Sequence, residues 1–328
     1  MKLNKLILSF LTATGIFLLS CNKDSDVFVP DAGQVTGPDT NWVASIGSNM
    51  PVMILENNLR LETHLDSIEV NSNIATVNNT TSGLICNFSP NCCQKSNGTA
   101  VTGKVYVELL LLKKKGDMVR MAKPTTSNGR LLVTGGCFFI KLKKDGEELQ
   151  LKPNAAVQVK YTEPQTSPLM KVFYGDESNP AQFNWLPSDT GGIISPVTAG
   201  NQFYELYSKN LRWVNCDYFY DTTGAVRTKV QTELPNNYTN TNTIAYLVFN
   251  DLRIVVKMNG DHVIKKFVSG KIPVGKNITV IVISKQGDYY FLGKNAVTTA
   301  NTGSLNQSVP INPVKTSLND IKAYLATL

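Results

Sequence analysis

Ile278-Thr279-Val280-Ile281-Val282-Ile283 is the stretch that decides the fold, because all six of its residues are β-branched. Such side chains lose conformational freedom in helices and pack well on a pleated surface, so the stretch predicts a β-strand. Gln286-Gly287-Asp288 then gives a turn signal, and the aromatic run Tyr289-Tyr290-Phe291-Leu292 follows it. Together these segments predict a β-hairpin.

Similar short strands are predicted on both sides of this hairpin, with Asn-Gly, Asp-Gly and Gly-Gly pairs between several of them. Closely spaced short strands with such turns are typical of an all-β sandwich or barrel. Only the C-terminal stretch has a helical pattern, with Ser317 as N-cap, Asp320 three residues later, and Leu318, Ile321 and Leu325 on one face. The other predicted strands are residues 105–112, 130–133, 137–142, 149–152, 157–161, 203–207, 244–249, 252–257 and 263–268.

Glycine and proline suggest how the strands are divided. Gly191, Gly192, Pro196 and Gly200 interrupt the strand pattern between Pro187 and Asn201, as expected for a linker. We therefore predict two β-sandwich-like domains, at 42–188 and 200–328, the second ending in the short helix.

The N-terminus has the features of a secretory signal. Lys2 and Lys5 precede a largely apolar run from Leu6 to Leu19, which is too short to cross a bilayer. We expect residues 1–20 to be a signal peptide. Residues 21–41 contain several Pro and Gly residues and predict a flexible tether.

The tetrad Leu18-Leu19-Ser20-Cys21 resembles a bacterial lipobox, and the following Asn22-Lys23-Asp24-Ser25-Asp26 resembles the acidic export signal of Bacteroidetes-type lipoproteins. The chain is thus similar to uncharacterised β-rich outer-membrane and surface lipoproteins of such bacteria. This resemblance implies acylation of Cys21, with chains such as palmitate, and anchoring in the outer membrane. It implies the cell surface as the location, with the periplasmic face as the alternative.

Charge and composition exclude some partners. The formal net charge is +7, and the signal peptide carries Lys2 and Lys5, so the mature chain would carry +5. Lysines and acids are mixed along the chain without a long basic block, so nucleic-acid binding is not expected. Weak attraction to anionic glycans or headgroups remains compatible with this charge.

Five cysteines besides Cys21 remain in the mature chain, and an odd number leaves at least one unpaired within the chain. An oxidising compartment permits disulfides, so we expect one bridge from Cys86 to either Cys92 or Cys93. A zinc site would need Cys and His at short spacings, and the two histidines, His64 and His262, lie far apart. Neither a metal nor a cofactor is expected.

An aromatic cluster near Trp213 is the candidate ligand site. Trp213, Tyr218 and Tyr220 lie close in sequence, and their rings would provide a stacking platform for a glycan. The alternative is that they are core side chains, since aromatic residues bury large apolar areas.

Two triplets, Asp66-Ser67-Ile68 and Asp221-Thr222-Thr223, resemble the O-glycosylation acceptor of Bacteroidetes-type secreted proteins. By this resemblance, Ser67 and Thr222 would carry glycans.

Hydrolase motifs are not found in the sequence. Neither Gly-x-Ser-x-Gly nor His-Glu-x-x-His occurs, so we expect no enzyme, although a glycosidase's two carboxylates leave no sequence signature. The expected function is a lipid-anchored, non-catalytic binding or structural module, an accessory subunit of an outer-membrane β-barrel machine. The alternatives are a glycan-binding lipoprotein of a nutrient-uptake system and, third, a glycoside hydrolase.

Overall fold

The computed structural model describes residues 40–71, 73–179, 182–188 and 195–328. The predicted signal peptide and Cys21 lie outside these residues, as does nearly all of the predicted tether. Strands make up 49% of the described residues and helices 9%, which confirms the all-β class. Residues Pro38–Leu328 form one compact unit.

The first half of this unit contains two facing sheets. Sheet 1 has the order β1-β5-β7-β15-β11-β12, with β6 and β8 also paired to β7, and sheet 2 has the order β13-β14-β10-β3-β2. A small ribbon, β4-β9, lies beside them. The strands are β1 (His64–Val70), β2 (Ala75–Asn79), β3 (Leu84–Phe88), β4 (Cys93–Gln94), β5 (Gly103–Leu112), β6 (Thr126–Ser127), β7 (Arg130–Lys144), β8 (Glu147–Glu148), β9 (Gln150–Leu151), β10 (Val157–Thr162), β11 (Lys171–Asp176), β12 (Asn184–Pro187), β13 (Thr198–Gly200), β14 (Phe203–Ser208) and β15 (Arg212–Phe219).

The second half forms sheet 3, with the order β24-β17-β20-β19-β18-β22-β23-β25, and a ribbon, β16-β21. The predicted hairpin is its longest pairing, from Asn277↔Thr298 to Gln286↔Tyr289. The strands are β16 (Arg227–Thr228), β17 (Val230–Glu233), β18 (Thr243–Phe249), β19 (Val255–Asp261), β20 (Lys266–Val268), β21 (Ile272–Pro273), β22 (Asn277–Gln286), β23 (Tyr289–Thr298), β24 (Gln307–Pro310) and β25 (Val314–Thr316).

The strands of sheets 1 and 2 end at Phe219, and the strands of sheet 3 and its ribbon follow. The boundary is therefore not in the linker expected between Pro187 and Asn201. Strand β14 pairs with β10, and β15 is inserted between β7 and β11. Strands on both sides of the expected linker therefore build sheets 1 and 2. In the described part of that segment, Pro196 bridges to Lys171 of β11 and Gly200 lies in β13, so both belong to the sandwich.

Three apolar clusters hold the layers together. Cluster 1 lies between sheets 1 and 2, cluster 2 between the other face of sheet 1, the helices and sheet 3, and cluster 3 on the far face of sheet 3. Alternation along strands assigns the side chains: Leu109 belongs to cluster 1 and Leu110 to cluster 2, while Tyr246 belongs to cluster 2 and Leu247 to cluster 3. Central strands buried on both faces need continuous apolar runs, which explains sequences such as that of β18.

Three helices are described: α1 (Pro51–Leu59), α2 (Lys115–Arg120) and α3 (Leu318–Ala326). Only α3 was predicted, and its capping box is present. The Asp320 backbone N–H donates to Ser317 Oγ at 3.0 Å, and the Ser317 N–H donates to Asp320 Oδ2 at 3.4 Å. No helix in the described part of the chain is long and apolar enough to cross a membrane.

Candidate ligand groove and the predicted site residues

A groove of about 440 Å³, called the Trp42 groove below, lies at one end of sheet 3. Such a volume is in the usual range for small-molecule sites. Its walls come from the segment that leads out of the predicted tether, the end of β17 with the loop that follows it, and the β19–β20 turn. The lining residues are Thr40, Trp42, Thr232, Glu233, Leu234, Pro235, Asn236, Tyr238, Ile264, Lys265 and Lys266.

Trp42 is fixed in this groove by contacts far away in sequence. The Val43 N–H donates to Asn240 Oδ1 at 3.1 Å, and Asn240 Nδ2 donates back to the Val43 carbonyl at 2.7 Å. The Trp42 ring packs on Phe267, with ring centroids 5.1 Å apart. A Cβ on Gly260 would lie 3.3 Å from the Trp42 ring and 2.6 Å from the Asn240 Cβ, so glycine permits the approach. The indole is partly exposed and held in place before any ligand arrives.

The loop after β17 forms the second wall and is equally well tied down. Asn242 Oδ1 accepts from the Thr239 N–H at 3.0 Å, and Asn242 Nδ2 donates to the Asn237 carbonyl at 2.9 Å. Tyr238 is 6% exposed, and its hydroxyl donates to the Pro313 carbonyl at 3.3 Å. This network leaves Asn236, at the tip of the loop, exposed beside the groove.

Charged groups lie around the rim of the groove. Glu233 Oε1 and Lys266 Nζ are 3.9 Å apart, and the two side chains are 50% and 33% exposed. An exposed pair of this kind contributes little stability, so both groups are available to hydrogen-bond a polar ligand. Glu233 is the sole acid among the described lining residues, whereas glycoside hydrolysis uses two carboxylates. The groove is therefore suited to stacking and hydrogen bonding.

The predicted aromatic platform is not assembled. Trp213 is 5% exposed and packs in cluster 2, with its ring 5.1 Å from Phe139 and 6.5 Å from Phe183. Tyr218 packs against clusters 1 and 3, and Tyr220 against cluster 3. A register shift between Cys216 and Asp217 separates Trp213 from Tyr218 within β15, and Tyr220 follows the end of that strand. The core interpretation of these aromatic side chains is the one that the structure supports.

Trp213 also contacts an unusual lysine. Lys123 Nζ lies 3.7 Å from the Phe183 ring centroid and 4.7 Å from that of Trp213. Burial lowers the pKa of Lys123 to about 8, while Glu177, 4.0 Å away, acts in the opposite direction. Cation–π attraction also favours the charged form, so this lysine joins α2 to sheet 1 as a partly buried cation.

The predicted O-glycosylation residues lie at the surface of the described chain. Ser67 is partly exposed on β1, and its N–H donates to Asp66 Oδ1 at 2.7 Å. Thr222 is partly exposed in a turn, and its hydroxyl accepts from Arg227 at 2.7 Å. The two residues lie on different elements, and their modification remains a prediction.

The disulfide expected from Cys86 to Cys92 or Cys93 is not formed. All five described cysteines are buried free thiols. Cys86 lies in the middle of β3, between Val77 and Val159 of the neighbouring strands, and burial raises its pKa to about 12. Cys92 and Cys93 hydrogen-bond to each other instead. Cys86, Cys92 and Cys93 thus act as small apolar side chains of cluster 1.

Other site types have little support in the described ranges. No group of three or more His, Cys, Asp or Glu side chains is arranged to hold a metal ion there. Sequence reasoning missed the Trp42 groove because its walls come from segments about 200 residues apart. The one available signal was a lone tryptophan directly after the Pro- and Gly-containing tether.

No protein-family model matches the chain, and no curated protein matches it either.

Proposed function

We propose that the chain is a lipid-anchored outer-membrane binding protein that holds a carbohydrate in the Trp42 groove. The observation that carries this proposal is the pre-positioned, partly exposed indole beside a carboxylate, an amide and two ammonium groups. Carbohydrate rings have apolar faces and polar edges, so an aromatic ring with hydrogen-bonding groups around it complements them. The lipid anchor on Cys21, implied by the lipobox resemblance, would keep this site at the membrane.

Trp42→Ala is expected to weaken glycan binding by more than tenfold, as truncation of a central Trp contact commonly does. Binding of the purified chain would be screened on a glycan array and then measured by calorimetry. Asn236→Ala, at an exposed loop tip, removes a polar contact without touching the packing of Trp42 on Phe267, and should also weaken binding.

Tyr207→Ala is the matched control, because Tyr207 is 59% exposed on β14, outside the groove. Thermal unfolding of each variant separates lost binding from lost folding. Absence of binding to any glycan, or equal losses for Trp42→Ala and Tyr207→Ala, would argue against the groove as a carbohydrate site.

A second candidate function, an accessory subunit of an outer-membrane β-barrel, is favoured by a different surface. Strands β1 and β2 are consecutive in the chain and lie at the ends of sheets 1 and 2. Leu65 on β1 and Ile74 before β2 are 70% and 68% exposed. Strand edges offer unpaired backbone groups to a partner. We therefore propose that β1 and β2 together, called the double edge, contact the partner protein.

Photo-crosslinking from position 65 of the native lipoprotein is expected to capture a barrel protein, whereas the same probe at Tyr207 is not. A Cys21→Ser chain lacks the acylation site, so it is expected to incorporate no labelled palmitate and to give less of this crosslink. Equal palmitate labelling of the native and Cys21→Ser chains would contradict the anchor, and equal capture from both probe positions would contradict the double edge as the docking surface.

A further inference from the structure

The β19–β20 turn presents two apolar side chains to solvent at the end of sheet 3 where the groove lies. Val263 is 76% exposed and Ile264 47% exposed. His262 and Lys265 flank them and are also exposed. Adjacent, strongly exposed apolar residues at a loop tip are costly in water unless another surface covers them.

This turn has a defined shape. Asp261 Oδ1 accepts from the Val263 N–H at 2.9 Å and from the Ile264 N–H at 3.2 Å. Lys265 has a positive φ of 54°, which directs the chain back into β20. The backbone therefore holds the apolar pair outward, so little ordering cost remains when a partner covers it.

The position of the turn identifies that partner. Ile264, Lys265 and Lys266 form one wall of the groove, and Thr40 and Trp42 form another. The segment carrying the predicted anchor therefore joins the folded body in the same groove as the apolar turn. A lipid on Cys21 would tether this end of sheet 3 to the bilayer through residues 22–39.

We propose that the Val263–Ile264 turn inserts into the lipid surface and forms a second membrane contact, which rests on the anchor proposed above. The apolar pair would enter the acyl boundary while Lys265, with its long apolar stem, reaches lipid phosphates. Tethering makes this contact intramolecular and so strengthens an insertion that the turn already makes without the tether. The groove would then open beside the membrane surface.

The test uses the full mature chain with Cys21→Ser, so that no acyl chain contributes. Co-sedimentation with phosphatidylcholine vesicles, with and without phosphatidylglycerol, measures partitioning. Quenching of tryptophan fluorescence by brominated lipids reports how deeply the protein inserts. Trp42 is the reporter, because it is partly exposed whereas Trp185 and Trp213 are 0% and 5% exposed. We expect binding that strengthens with phosphatidylglycerol, together with quenching that a Trp42→Phe variant lacks.

Val263→Ser with Ile264→Ser is expected to lower partitioning by tenfold or more, given the transfer free energies of such side chains. Leu305→Ser is the matched control, because Leu305 is 74% exposed and lies at the other end of β17 from the turn. Leu305 precedes β24, and the first residue of β24 pairs with the start of β17. The Val263–Ile264 turn adjoins the end of β17. No vesicle binding, unquenched Trp42, or equal losses in both variants would overturn the second contact. The anchor itself is tested separately by comparing labelled-palmitate incorporation into the native and Cys21→Ser chains.

Discussion

Gly116→Ala is expected to lower the free energy of unfolding by about 2–5 kcal/mol, the cost of losing the packing of a large buried side chain. A Cβ at Gly116 in α2 would lie 1.7 Å from the Leu325 carbonyl oxygen and 2.5 Å from its carbon. Since these are backbone atoms, no side-chain rotation relieves the overlap. Helix α3 must move, and Ile321 and Leu325, both fully buried, lose their place in cluster 2.

Helix propensity predicts the opposite sign, because alanine favours a helix over glycine by about 1 kcal/mol. Denaturant unfolding therefore decides between close packing and intrinsic propensity, and amide exchange over residues 318–326 shows whether α3 undocks. Gly270→Ala is the control, because a Cβ there meets nothing within 4 Å, and a change within about 0.5 kcal/mol is expected. A Gly116→Ala chain as stable as the parent would refute the close α2–α3 packing.

Elements with local signals were predictable from the sequence. The β22–β23 hairpin needs only alternating strand residues and a turn, and α3 needs only its capping box and one apolar face. Helices α1 and α2 were missed because their signals are weaker. Helix α2 is six residues long, and it begins within three consecutive lysines at 113–115, a pattern typical of a solvated turn. Their ammonium groups instead donate to the carbonyls of Thr162, Ala326, Phe249 and Asn250.

The candidate site was less predictable than the fold, because its geometry is set by distant segments. Trp213 looked like a ligand platform from its neighbours in sequence, but Phe139 and Phe183 come from other strands and loops and enclose it. Trp42 had no such neighbours, yet Asn240 and Phe267 hold it partly exposed. Whether an aromatic side chain lies in the core or in a binding site thus depends on which strands lie next to it. The hydrophobic periodicity of the sequence does not give that strand order.

Asp217→Asn is expected to stabilise the protein at neutral pH and to flatten its stability–pH profile. Asp217 is fully buried in β15 and accepts from Asn215 Nδ2 at 2.7 Å through Oδ2, while no group of the described residues hydrogen-bonds to its Oδ1. Burial raises the pKa of Asp217 well above its usual value, although hydrogen bonds from Thr134 and Asn215 and the charge of Arg253 act in the opposite direction. The folded chain therefore keeps a proton that the unfolded chain releases above about pH 3.9.

Because the folded state binds more protons in this window, stability falls as pH rises from about 3.9 to the raised pKa. One proton gives a slope of up to about 1.4 kcal/mol per pH unit. The isosteric, neutral amide of the Asp217→Asn variant removes this slope, so the stability gap between variant and parent should widen as pH increases. Urea unfolding at a series of pH values measures it.

Asp176→Asn is the control with the opposite sign. Asp176 is partly exposed. The Ser178 hydroxyl and the Ser178 N–H both hydrogen-bond to its carboxylate, the N–H to Oδ1 at 2.9 Å, so the pKa of Asp176 lies below its usual value. Its contribution is present above the unfolded pKa and is lost as pH falls, so Asp176→Asn should remove stability at neutral pH. Parallel profiles for Asp217→Asn and the parent would mean that Asp217 ionises freely in the folded chain, and the buried carboxyl would then need a partner for Oδ1.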